Sequence, residues 1–96
     1  MSPVHRDARL RVPDDVVFRE IAGESMILHL GSGIYFGLDG VGTRAWQLLA
    51  EHGSIEGVVS AMATEFDADA STISADVTAL VNELLRKHLL EITPDP

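Results

Sequence analysis

The chain has 96 residues, a net charge of −8 and no cysteine. A domain of this length buries only ~60–65% of the surface its unfolded chain exposes, which is enough for one core but not for a deep, walled active site. The missing cysteines exclude a disulfide scaffold, a zinc ribbon and a thiol nucleophile, and suit the cytoplasm; the acidic balance disfavours nucleic acid and anionic membrane as partners.

The acid is unevenly spread. Residues 45–96 carry nine acidic side chains and only two basic ones, Arg86 and Lys87. Residues 1–15 contain Pro3 and Pro13, mixed charge and no apolar period or long apolar run. They read as a mobile N-terminal arm rather than a signal peptide, with a short strand around Leu10 to Val12 as the lesser alternative. No stretch of the chain approaches the ~18 apolar residues of a membrane span.

Three runs with strand chemistry follow. Val16 to Ile21 is β-branched and aromatic, and Ala22-Gly23-Glu24 supplies a turn. Ser25 to Leu30 is the second run, Gly31-Ser32-Gly33 a second turn, and Ile34 to Leu38 the third run. Connections this short predict an antiparallel meander in the order 1-2-3. Period-2 alternation puts Ile34, Phe36 and Leu38 on the core face of the third strand, with Tyr35 and Gly37 on the other.

The period then changes to 3.6. Asp39 is a suitable N-cap for a helix over Gly40 to Glu51, with Val41, Ala45, Leu48 and Leu49 on its apolar stripe, Trp46 beside them, and Gly53 as a left-handed cap. Ser54 caps a second helix with the stripe Ile55, Val58, Val59, Met62 and Phe66. A tight turn at Asp67-Ala68-Asp69 leads to a third helix, capped by Asp69 or Ser71 and running to about Lys87. Its stripe is Ile73, Val77, Leu80, Val81, Leu84 and Leu85. Leu89 to Ile92 can add a short strand, and residues 93–96, with Pro94 and Pro96, read as a frayed tail. The fold class expected is α+β: a three-stranded antiparallel sheet followed by three helices, the last two joined as in a winged helix-turn-helix. The folded domain spans 16–92.

The residues offer little reactive chemistry. No two of His5, His29, His52 and His88 are three or four apart, and no HxH or HExxH occurs, so no metal is expected. No GxSxG or SxxK frames a serine. The acids fall on helix faces and caps rather than as a close pair. Gly31-Ser32-Gly33 joins two strands and lacks the helix N-terminus of a phosphate cradle. No catalytic residue and no cofactor is expected.

Peptide binding needs no reactive group, only a bare strand edge beside an apolar groove. The third strand carries Tyr35 and Phe36 beside Gly37, with no Lys, Arg or Pro to guard its edge. The apolar arc of the third helix is wider than the roughly 100° stripe of a helix packed on one side. Its flanks are therefore groove candidates: Asp76, Leu80, Glu83 and Lys87 on one side, Val81 and Leu85 on the other. The sequence does not say which flank faces the strand.

Gly33-Ile34-Tyr35-Phe36-Gly37-Leu38-Asp39, followed by Gly42, Ala45-Trp46 and Leu48-Leu49, resembles the PqqD family pattern G-x-Y-[FW]-x-L-[ND] leading into a helix with a Trp. Ile55-Glu56, Phe66-Asp67, Asp76-Val77, Leu80, Leu84 and Leu89 continue the likeness, which covers about residues 16–92. The family is similar to the leader-binding proteins of lasso peptide clusters and forms the winged-helix-like RiPP recognition element. The resemblance implies a non-catalytic, cytoplasmic protein that binds the leader of a ribosomally made precursor peptide as an added strand. It presents that peptide to a modifying enzyme, such as a radical SAM protein, or to a leader peptidase. Carried over by position, the peptide-binding residues are Ile34, Tyr35, Phe36 and Gly37 on the strand and Asp76, Leu80, Glu83, Leu84 and Lys87 on the helix. One departure is His88, where the family pattern has Gly after the third helix; it points to a different helix end near Lys87. Two other readings share the fold: a DNA-binding winged helix, opposed by Asp76 and Glu83 on the third helix, and a module that pairs with itself through the bare edge.

Overall fold

The computed structural model describes residues 8–93. The start of the arm, residues 1–7, and most of the expected tail, 94–96, lie outside the described residues. The elements are β1 (Leu10–Arg11), β2 (Val16–Ile21), β3 (Glu24–His29), β4 (Tyr35–Leu38), α1 (Gly40–His52), α2 (Ile55–Phe66), α3 (Ala70–Arg86) and β5 (Glu91–Ile92). The third strand expected from the sequence is thus β4.

The main sheet is an antiparallel meander in the order β2-β3-β4. Its first hairpin closes through Ala22 (φ 55°) and Gly23 (φ 84°). Two consecutive positive φ angles give the turn whose twist matches the flanking strands. The second connection closes where the His29 amide donates to the Ile34 carbonyl at 2.8 Å and the Gly33 amide, at φ 74°, donates to the His29 carbonyl at 2.9 Å. Phe18, Ile27 and Phe36 stand opposite one another across the three strands. That row faces the helices: Ile27 is fully buried, and Phe18 stacks on Trp46 of α1 with ring centres 6.0 Å apart.

Each helix is capped as its sequence predicts. Asp39 accepts from the Gly42 amide, Ser54 from the Gly57 amide and Asp69 from the Thr72 amide. Ser71, the other candidate cap of α3, donates its hydroxyl to Asp69 Oδ2 at 2.6 Å. Gly53 ends α1 in the left-handed region. Val41 and Phe66 depart from the expected stripes: both are exposed, one in the first turn of α1 and the other in the last turn of α2.

Two corrections concern the chain ends. The arm was expected to be mobile over 1–15, yet Leu10–Arg11 pairs antiparallel with Glu91–Ile92. Leu10 is buried in the core cluster, and Arg11 Nε donates to Glu91 Oε1 at 2.7 Å. The short strand around Leu10 to Val12, the lesser of the two sequence readings, is therefore the one observed, and its partner about 80 positions away is the short strand expected within Leu89 to Ile92. Thr93, the first residue of the expected tail, donates its amide to the Arg9 carbonyl at 2.8 Å. The second correction is at the end of α3. His88 adopts φ 62°, and the amides of Leu89 and Leu90 both reach back to the Leu84 carbonyl. The helix therefore ends in the left-handed turn a glycine would make, with histidine in its place. Burial of Leu84 and Leu89, both fully inside, holds it there. Among the described residues no helix is long and apolar enough to cross a membrane.

Candidate functional site

The site is built from the edge of β4, the start of α1 and the inner flank of α3. Strand β4 pairs only with β3 among the described residues, so its outer edge is free. The register fixes which backbone groups point outward. His29 and Ile34 form a hydrogen-bonded level, and levels alternate along an antiparallel pair. Phe36 and Leu38 therefore bond inward to β3, while Tyr35 and Gly37 turn their N–H and C=O groups to the open side. The Tyr35 side chain is 66% exposed. A Cβ added at Gly37 would meet no atom within 4 Å, so internal packing does not demand glycine there.

Beside this edge lies a groove of about 540 Å³. Gly37, Leu38 and Asp39 form one wall; Ile73, Asp76, Val77 and Leu80 of α3 form the opposite one. Val41, Gly42 and Ala45 of α1 and Met62 of α2 close the space between them. Ala45, Met62, Ile73 and Val77 are buried and make an apolar floor, whereas Val41 and the two carboxylates stand exposed at the rim. Asp39 and Asp76 are the only ionisable residues lining the groove, and neither has a cationic partner among the described residues.

Further along, the other end of β4 meets the end of α3. Lys87 Nζ lies 5.9 Å from the centre of the Phe36 ring and 3.7 Å from Glu83 Oε1, and Arg86 also pairs with Glu83. The flank of α3 that faces β4 is therefore Asp76, Leu80, Glu83 and Lys87. Val81, on the other flank, is fully buried, and Leu85 packs half-buried against the core.

Of the nine positions singled out in the sequence, Gly37, Asp76 and Leu80 line the groove. Phe36, Glu83 and Lys87 cluster at its far end, Tyr35 stands outside on the open sheet face, and Ile34 sits just before β4, partly exposed. Leu84 is different: it is 0% exposed and belongs to the core, because it sits on the inward centre of the α3 stripe rather than on its flank. Asp39 and Val41 line the groove without having been singled out. Their signal was present, since a helix that begins directly after an edge strand sets its first turn beside that edge.

The chemistry this arrangement supports is recognition. Among the described residues no group of three or more His, Cys, Asp or Glu could hold a metal ion. A strand-shaped ligand laid along β4 would meet the outward amides and carbonyls of Tyr35 and Gly37, and alternate side chains would reach the groove.

No curated protein matches the chain. Two solved structures share its fold. One, described as TbiB1 in complex with the TbiA(beta) leader peptide, is 40% identical, with a TM-score of 0.79, over 88% of this chain and 99% of that one. The other, a lasso peptide synthetase B1 complexed with the leader peptide, is 20% identical with a TM-score of 0.77 at the same coverage and supports the fold alone. The family model for coenzyme PQQ synthesis protein D matches residues 24–90, which is more than half of the chain. This chain belongs to the coenzyme PQQ synthesis protein D (PqqD) family.

Proposed function

We propose that this domain binds the leader of a ribosomally made precursor peptide, without catalysing a reaction itself, and presents the peptide to a separate modifying enzyme or leader peptidase. The leader adds as a fourth strand to β4 and sets side chains into the groove against α3. The observation that carries this reading is the pairing of a free edge, with Tyr35 and Gly37 turned outward, and an apolar groove immediately beside it. The 40% identical structure holding a leader peptide supports it. Binding occurs in the cytoplasm, which a chain without cysteine suits.

The charge pattern disfavours DNA. The only two bases in or just after α3, Arg86 and Lys87, both pair with Glu83 and so are partly neutralised for phosphate contact.

The test is titration of the purified protein with synthetic leaders: the TbiA(beta) leader and leaders encoded beside the gene. Saturable shifts of the backbone amides in 33–38 and along α3 are expected. A folded protein whose amides respond to none of them, but which dimerises through β4, contradicts the reading and makes the edge a self-pairing surface.

A further inference from the structure

The groove is apolar at its floor and acidic at one rim. Asp39 and Asp76 come from opposite walls, both are exposed, and no basic side chain lines the space between them. Every cation near the far end is already engaged: Lys87 and Arg86 pair with Glu83. A peptide lying over the groove would take both carboxylates partly out of water without supplying them a partner, unless it brought one. An acidic side chain placed there would add like-charge repulsion to that loss.

We infer that the groove selects a leader carrying a lysine or arginine at the strand position beside Leu38, which faces the helices, its aliphatic stem lying along Val41 and Leu80 and its charge between Asp39 and Asp76. This deepens the leader-binding reading and rests on it. The stem suits the site as the charge does: a long cationic side chain covers apolar surface while keeping its head at a wet rim. The rim thus acts as a charge filter on top of strand addition, whose backbone bonds carry no sequence preference of their own.

The experiment is a positional scan of the TbiA(beta) leader in which each residue in turn is replaced by lysine, norleucine or glutamate, with affinities measured on wild-type protein and on Asp39→Asn and Asp76→Asn. Asparagine caps a helix about as well as aspartate, so Asp39→Asn keeps α1 intact. At one position lysine should bind about fivefold tighter than norleucine and glutamate more weakly than either. Both differences should shrink to within about twofold in the two variants, and at about 1 M salt, where charges are screened beyond roughly 3 Å. If the scanned peptides bind but the three substitutions are equivalent at every position, leader binding stands and the charge filter is wrong. It is equally wrong if lysine keeps its advantage in both variants. If neither the scanned peptides nor the leaders encoded beside the gene bind wild-type protein, the leader-binding reading falls and the filter with it.

Discussion

Lys87 holds its ammonium group 5.9 Å from the centre of the Phe36 ring, joining the end of α3 to the first half of β4. At the other end, Gly37–Asp39 and Asp76 line the same groove. The strand and the helix therefore run in opposite directions along one groove, and the Asp76, Leu80, Glu83 and Lys87 flank of α3 is the one that faces the free edge.

That geometry separates two leucines one turn apart. Leu84 is fully buried and Leu80 is half-buried on the groove wall. Leu84→Ala should destabilise the fold by about 2–5 kcal/mol, the usual range for a core leucine. Leu80→Ala should cost less stability but weaken leader binding several-fold. Urea unfolding and peptide titration of the two variants side by side check this, and the reverse order of effects would contradict the placement.

His88 sits at φ 62°, a conformation in which a Cβ is strained. Its carbonyl-satisfying turn is already complete, so glycine can take its place without loss of hydrogen bonds. His88→Gly should raise stability by about 0.5–1 kcal/mol, the difference between relieved strain and the added freedom of the unfolded chain. Chemical denaturation measures it, and a loss of stability would show that the imidazole has a role at this turn.

The Asp69 carboxyl is held below its ordinary value, first by the Ser71 hydroxyl and then by the hydroxyl and amide of Thr72. A carboxyl depressed in the folded state stabilises it at pH above the unfolded value, and that contribution is lost as pH falls through the folded one. Asp69→Asn retains a cap but no titration. The stability difference between wild type and Asp69→Asn should stay constant near neutrality and shift against wild type as pH drops below about 4. A difference independent of pH down to acid unfolding would contradict the assignment.

Much of the fold was legible because its signals are local. The caps Asp39, Ser54 and Asp69, the Gly53 stop and the Ala22-Gly23 turn each act within a few residues, and all stand where the sequence puts them. What was not legible depends on distant partners. A strand at Leu10 to Val12 was only the lesser sequence reading, because its pairing depends on Glu91–Ile92 coming to meet it. The helical stripe already sets Leu80 on a flank, and only the packing of the sheet decides that this flank, not that of Val81 and Leu85, faces the strand. His88 shows the converse: a local rule against positive φ yields to the burial of Leu84 and Leu89 on either side of the turn.

The central claim is strand addition at β4, and amide hydrogen exchange tests it residue by residue. The amides of Phe36 and Leu38 already point to β3, whereas those of Tyr35 and Gly37 point outward. Saturating leader peptide should slow exchange at Tyr35 and Gly37 by about tenfold or more. Tyr35→Pro, which removes an outward donor and leaves the inward ladder untouched, should weaken binding about five- to tenfold in a protein that stays folded. If the leader binds while the Tyr35 and Gly37 amides exchange as fast as before, the peptide is held elsewhere and the account of the site is wrong.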